Sequence, residues 1–251
     1  MTAEVITTAL VAVVGFAALV AQLSRVIRDG VAGVSALSWA LIATMNIGWG
    51  AHMISLGHWA VAGVNTVLGI GAIAIVAMVL PGARALLAAT VAGAVATGVA
   101  VGVPSPPPVL LTFAVAAAAP LFVAMRAPAD QRTASVALSA GAVALVAAQF
   151  VLPTPGAVAL AVGTIAMFAP QAVTVLRLAA AGGDVSGVSV PSWTLNTIVS
   201  FVWMSWAIVA GNPAAIAANL PVGILAGVVA VTVVVANRRA LSASPPSRDA
   251  A

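Results

Sequence analysis

Cysteine and lysine are absent from this chain, and histidine occurs only at His52 and His58. Without cysteine there is no disulfide, no thiol nucleophile and no zinc–thiolate site. Two histidines are at most part of a metal site. No His/Asp cluster, Ser-His-acid set or metal-ligand spacing stands out, so a membrane enzyme is the least favoured class, and no cofactor is expected. Charge is scarce too. Only 6% of the 251 residues are charged and 63% are hydrophobic, whereas a soluble domain carries about 25% charged residues. So few charges cannot coat a water-facing surface of this size, and much of the surface must face lipid. Nine arginines stand against five acids, a net charge of +4. The arginines are scattered singly between apolar stretches with no basic stripe, which argues against a nucleic-acid partner.

What the chain does have is a series of apolar runs. Nine are near the length needed to cross ~30 Å of hydrocarbon. They fall at 5–24, 35–56, 59–80, 83–103, 108–125, 134–152, 157–177, 188–210 and 213–236. Breaks such as Pro81-Gly82, Pro153 to Gly156 and Gly211-Asn212-Pro213 separate them. Glu4 precedes the first run, and Arg25 and Arg28 follow it. That order suits a retained first helix with its N-terminus outside rather than a signal peptide. With nine spans every arginine falls on one side, as the positive-inside rule requires. The expected fold is an all-α polytopic membrane protein, N-terminus outside and C-terminus inside. A bacterial inner membrane is the expected location. Residues 240–251 read as a disordered cytoplasmic tail.

Residues 31–80 align without gaps with 185–234, at a constant offset of 154. Matched positions include Gly33/Gly187, Ser35/Ser189, Trp39/Trp193, Trp49/Trp203, Gly57/Gly211 and Asn65/Asn219. Upstream, Gln22 pairs with Gln171 and Arg28 with Arg177, allowing for a five-residue shift. Residues 5–80 and 157–236 thus form two three-helix repeats, with a three-helix linker region at 83–152 between them. Three intervening spans leave the repeats parallel.

Polar residues within a membrane are costly and suggest function. Trp49 and Asn65 lie eight residues either side of Gly57, and Trp203 and Asn219 eight either side of Gly211. At ~1.5 Å per residue each pair shares one depth, about 12 Å below its turn. Asparagine offers donors and an acceptor without charge, and tryptophan offers a flat apolar face with an N–H. Singly, such residues are more often packing, anchors or inter-helix bonds. Duplicated at matched depth, they read as a site for a neutral polyol. Asn46 and Ser200, three residues before each Trp, are second candidates. Trp39 and Trp193 read as interface-belt or packing residues, Trp59 and Trp206 as anchors, and the histidines as interfacial.

Pro170-Gln171, Arg177 and Gly187-Val188-Ser189, with Gln22, Arg28 and Gly33-Val34-Ser35 in the first copy, resemble the PQ-loop motif. The chain is similar over both repeats to the SWEET and SemiSWEET sugar carriers. That resemblance implies that Trp49, Asn65, Trp203 and Asn219 line a central sugar site. It also implies motif and hinge roles for Gln22, Pro170, Gln171 and Pro191. Two departures stand out. Three spans join the repeats where eukaryotic members of the family have one; these could pack around the bundle or supply a homo-oligomer contact. The first copy has Ala21 and Leu37 where the second has Pro170 and Pro191. With no acid or histidine deep in a span, facilitative uniport of a small sugar is expected. Transport of another small solute such as an amino acid, or a non-transporting scaffold or sensor, is the alternative. Because proline permits helix bending, the second repeat should move more than the first. Equal displacement of both repeats between inward-open and outward-open forms would rule that asymmetry out.

Overall fold

A computed structural model describes residues 3–80, most of 119–144, and 153–243. Six long helices dominate it: α1 (Ala3–Asp29), α2 (Ala36–Ser55), α3 (Trp59–Val79), α4 (Pro153–Ala180), α5 (Val190–Val209) and α6 (Pro213–Ala243). Residues 119–125 and most of those described between 129 and 144 are helical as well, and no strand occurs among the described residues. The spans at 83–103, most of 108–125 and the end of 134–152 lie outside the described residues, as do Arg84 and the tail beyond 243. One boundary is corrected. α6 runs on through Ala243, so residues 240–243 continue a helix rather than open a disordered tail. Alanine and leucine there favour helix, and the Ser242 hydroxyl donates to the Arg238 carbonyl at 3.0 Å.

Among the described residues five helices are long and apolar enough to cross a membrane: Val5–Asp29, Trp59–Val79, Leu160–Ala180, Val190–Val209 and Pro213–Ala240. α2 is more polar, carrying Ser38, Thr44, Asn46 and His52. On α6 the residues Leu220, Ile224, Val228, Val231 and Val235 are exposed at helical spacing, and on α1 Val5, Ile6, Leu10 and Val13 are. Apolar stripes of this length need an apolar environment outside them. Length and composition together mark the chain as a membrane protein.

The six helices close into a ring. α3 packs on α1 and α2, and α6 on α4 and α5. Two further packings join the halves, α1 against α5 and α2 against α4. The duplicated sequence folds in matching ways. α2 and α5 each have 20 residues, start behind Ser35 and Ser189, and are capped by those hydroxyls accepting from Ser38 N (3.3 Å) and Ser192 N (3.2 Å). Both end in turns where Gly57 (φ 80°) and Gly211 (φ 65°) take the left-handed conformation that glycine tolerates.

The halves are held by a reciprocal exchange. The side chain of Gln22, 1% exposed, donates from Nε2 to the Gly187 carbonyl (2.9 Å) and accepts at Oε1 from Ser189 N (3.1 Å). Gln171, also 1% exposed, donates to the Gly33 carbonyl (2.7 Å) and accepts from Ser35 N (2.8 Å). Each glutamine thus ties its own helix to the loop of the other half. The two loops also meet directly, Gly187 N donating to the Ala32 carbonyl at 3.0 Å. A Cβ on Gly187 would lie 2.6 Å from the Ala32 and Gly30 carbonyl oxygens, so only glycine fits. Around this joint Arg25 Nε donates to the Ser186 carbonyl (2.6 Å) and pairs with Asp29 (2.8 Å). Asp184 is an exposed loop residue whose carboxylate accepts from Ser186 N (2.8 Å). That bond, with help from the Ser186 side chain and Arg25, holds its carboxyl below the usual carboxylate range. Its contribution is present at neutral pH and is lost as the pH falls through that depressed value.

Pro191 is corrected here. It lies in the first turn of α5, where its missing N–H would have had no intrahelical partner, so it starts the helix without bending it. Pro170, in contrast, is inside α4, and Pro221 is inside α6.

Replacing Gln22 or Gln171 by leucine leaves a buried N–H and a buried C=O unpaired, at a cost of about 1–3 kcal/mol per group. Each variant should lower the unfolding midpoint in detergent by several degrees, at about 2–4 °C per kcal/mol. Gly187→Ala should be at least as damaging, whereas Gly63→Ala, which has open space around it, should not. Unchanged midpoints for both glutamine variants would show that the joint holds nothing together.

Candidate functional site

The ring encloses a cavity of about 110 Å³. All six residues singled out from the sequence line it: Trp49, Asn65, Trp203, Asn219, Asn46 and Ser200. The α2–α3 hairpin supplies three from one half and the α5–α6 hairpin three from the other. No charged side chain is among the described lining residues. Each asparagine donates one N–H to the carbonyl four residues back in its own helix: Asn46 to Ile42 (2.8 Å), Asn65 to Val61 (3.0 Å) and Asn219 to Ala215 (2.6 Å). Such self-bonds fix the side chain. They leave a second N–H and the amide oxygen of each without a partner among the described residues. The Ser200 hydroxyl donates to the Asn196 carbonyl (2.8 Å).

Several residues belong to the cavity that the sequence did not place there. Trp39, read as a belt or packing residue, is 4% exposed and lines it. Trp206, read as an anchor, is 1% exposed and lines it too. Trp193 is buried and stacks edge-on with Phe168 (5.5 Å, 86°). Asn196 is in the lining, donating to the Ser192 carbonyl at 3.0 Å. His52, read as interfacial, is 8% exposed and packs edge-on against Trp49 (5.6 Å, 72°). Trp59, at 52% exposed, is free of the cavity. Thr164 gave no sequence signal at all, yet its hydroxyl accepts the Trp49 indole N–H at 2.7 Å and donates to the Leu160 carbonyl at 2.7 Å.

The halves treat their tryptophans differently. Gly15 occupies the position matching Thr164 and has no hydroxyl. Trp203 instead stands edge-on to Trp206 (5.6 Å, 90°), and Trp206 matches His52. The Ser38 hydroxyl donates across the interface to the Met167 carbonyl, one residue beyond the carbonyl that Pro170 leaves without a helical donor. The equivalent Ser192 faces an α1 with Ala21 at the proline position, and its buried hydroxyl has no partner among the described residues. The indole nitrogens of Trp39 and Trp206 are likewise buried without an acceptor among the described residues. Each such group costs about 1–3 kcal/mol.

Comparison with protein-family models, curated proteins and solved structures gives no match to this chain. The chemistry must be read from the lining itself. It presents neutral donors and acceptors beside flat apolar rings, and among the described residues no group of three or more metal-binding side chains.

Thr164→Val leaves the Trp49 N–H unpaired and should destabilise the protein by about 1–3 kcal/mol, while Thr164→Ser should restore most of the loss. Chemical denaturation of all three proteins, read by tryptophan fluorescence, measures this. Equal stability would show that the cross-half bond contributes nothing.

Proposed function

We propose that this protein is a carrier that moves a small neutral sugar across a membrane by alternating access. In this reading it has nine spans, with two parallel three-helix repeats of PQ-loop type joined by three more. The observation that carries the reading is that the duplicated pairs, Trp49 with Asn65 and Trp203 with Asn219, line one cavity. Sugars have hydroxyl edges and C–H faces. Asparagine amides answer the first and indole faces the second. The uncharged lining disfavours a zwitterion, which would need a fixed charge or a broken helix end beside it. Arg25, Arg28, Arg177, Arg238 and Arg239 all lie towards the helix ends where the glutamine joint is. That placement fits an inner face.

Uniport down a gradient is the primary reading of the energetics. Coupling to protons is the second, because His52 is buried against a lining tryptophan. Uptake of labelled mono- and disaccharides into proteoliposomes tests the whole proposal. Wild type should give saturable flux that needs no pH gradient, and Trp203→Ala and Asn219→Ala should each reduce it at least tenfold with folding intact. Flux that depends on a pH gradient and fails in His52→Gln would replace uniport by coupling. No flux for any sugar would move the reading to another solute or to a non-transporting role.

A further inference from the structure

A second cavity, of about 230 Å³, opens among α1, the start of α5 and the end of α6, apart from the one that the Trp–Asn pairs line. On α1 its lining residues are Ala21, Ser24, Arg25 and Arg28, spaced by three and four so that they share one face of the helix. The small side chains at 21 and 24 leave room beside the two arginines. Ser189, in the loop that Gln22 holds, and Asn237 on α6 complete the polar lining. No acidic side chain is among the described lining residues. Much of this lining is uncommitted. Arg25 is engaged with the Ser186 carbonyl (2.6 Å) and with Asp29 (2.8 Å). The side chains of Ser24, Arg28 and Asn237 make no hydrogen bond or ion pair among the described residues. The surroundings are basic as well. Arg238 and Arg239 follow Asn237, while Asp29 and Asp184 lie near Arg25, so four arginines stand against two acids.

Positive-inside topology accounts for arginines at this level. It does not account for a hydroxyl and an amide held without partners beside them, around an open space. The duplication sharpens the contrast. The other half keeps Arg177 in place of Arg28 but has Val173 and Thr174 for Ser24 and Arg25, and the Thr174 hydroxyl already donates to the Pro170 carbonyl (2.7 Å). Guanidinium, hydroxyl and primary amide have one capacity in common, which is to donate N–H or O–H to an oxyanion. A phosphate group sets more oxygens around one centre than a carboxylate does, and it suits the fork of arginine. We propose that this pocket binds a phosphate group, with Arg25 and Arg28 answering its charge and Ser24 and Asn237 its remaining oxygens. The group belongs either to an anionic phospholipid headgroup or to a free phosphate. Val20 (58% exposed) and Ile27 (70% exposed) adjoin Ser24 on α1 at helical spacing, so an acyl chain has an apolar surface beside the pocket. Basic pockets between helices at the cytoplasmic side are a recurrent place for headgroups. A bound phosphate bridges α1, α5 and α6 next to the glutamine joint, and so braces the two halves against each other. The site does not depend on which solute the protein moves.

The test follows the unfolding midpoint of the full chain in neutral detergent while three probes are titrated: short-chain phosphatidylglycerol, short-chain phosphatidylcholine, and inorganic phosphate against chloride at matched ionic strength. A ligand of the native state raises the midpoint with its concentration. A saturable rise with phosphatidylglycerol but not with inorganic phosphate assigns the pocket to a lipid headgroup. A rise with inorganic phosphate assigns it to a free phosphate. Phosphatidylcholine, whose choline offsets its phosphate charge, should do little. Arg28→Gln and Asn237→Ala should leave the midpoint without probe unchanged, since neither side chain is bonded among the described residues. Both should raise the half-saturating concentration, Arg28→Gln by about tenfold, the worth of one charge-assisted hydrogen bond. Arg28→Lys keeps the charge without the fork and should lose less. Arg177→Gln, at the same end but outside the pocket, should bind as wild type does. No saturable rise with either phosphatidylglycerol or inorganic phosphate overturns the proposal. So does a rise that Arg28→Gln leaves as it was, or one that Arg177→Gln weakens equally, which is the mark of diffuse surface charge. No sugar enters the test, so its failure leaves the carrier reading standing.

Discussion

Two buried glutamines fix the relation between the halves of this protein. A primary amide carries donor and acceptor on one rigid plane, so it can bond both a carbonyl and an N–H of the same loop. Gln22 does so to the loop of residues 187–189, and Gln171 to that of 33–35. In a low-dielectric interior these bonds are strong and costly to leave unmade. The loops must therefore stay in contact, which requires glycine at position 187 because the Ala32 and Gly30 backbones press against it. With the loops joined, α1 is set against α5 and α2 against α4, and the ring around the cavity follows. The far end is closed differently. There Met53, Val61 and Ala62 meet Trp206, Ala207 and Ala215 in an apolar cluster. Apolar contacts are non-directional, so that end can slide or part with less disruption than the glutamine end.

The duplication is close in outline and broken in detail. Helix lengths, serine caps and turn glycines match. The prolines do not: Pro170 and Pro221 interrupt α4 and α6, while Ala21 and Val67 stand at the corresponding places. The differences reach the interface. The Ser38 hydroxyl finds the Met167 carbonyl, whereas the Ser192 hydroxyl has no partner among the described residues. Thr164 holds the Trp49 indole, whereas Gly15 offers Trp203 nothing. The cavity is therefore pseudo-symmetric in its layer of Trp and Asn residues and asymmetric in what supports them.

Much of this was legible in the residues. Hydropathy located the six long helices of the described residues, though α6 runs seven residues past its expected end, because lipid demands about 20 apolar residues per crossing. The fixed offset between copies brought the duplicated polar and aromatic residues into correspondence, since chance rarely repeats Trp, Asn and Ser at one spacing. Those signals depend only on local composition and on counting, and both are written along the chain. The same logic failed where a residue's neighbours come from elsewhere. Pro191 looked like a hinge until its place in the first turn of α5 was known. Trp206 looked like an anchor, and Trp39 like a belt or packing residue, because burial is a property of the whole ring of helices. His52 lies near a span end in sequence, yet in the fold it is buried, edge-on against Trp49.

The sequence by itself determined the all-helical, membrane-type composition, the repeat and the identity of the polar residues that face one another's equivalents. Only the tertiary structure decided which residues share the cavity, that each glutamine reaches into the opposite half, and which donors are left without acceptors. The reason is physical. Periodicity and propensity act over one or two turns of helix, whereas burial and hydrogen-bond pairing are set by contacts between residues more than 100 positions apart, such as Gln22 with Gly187 and Trp49 with Thr164.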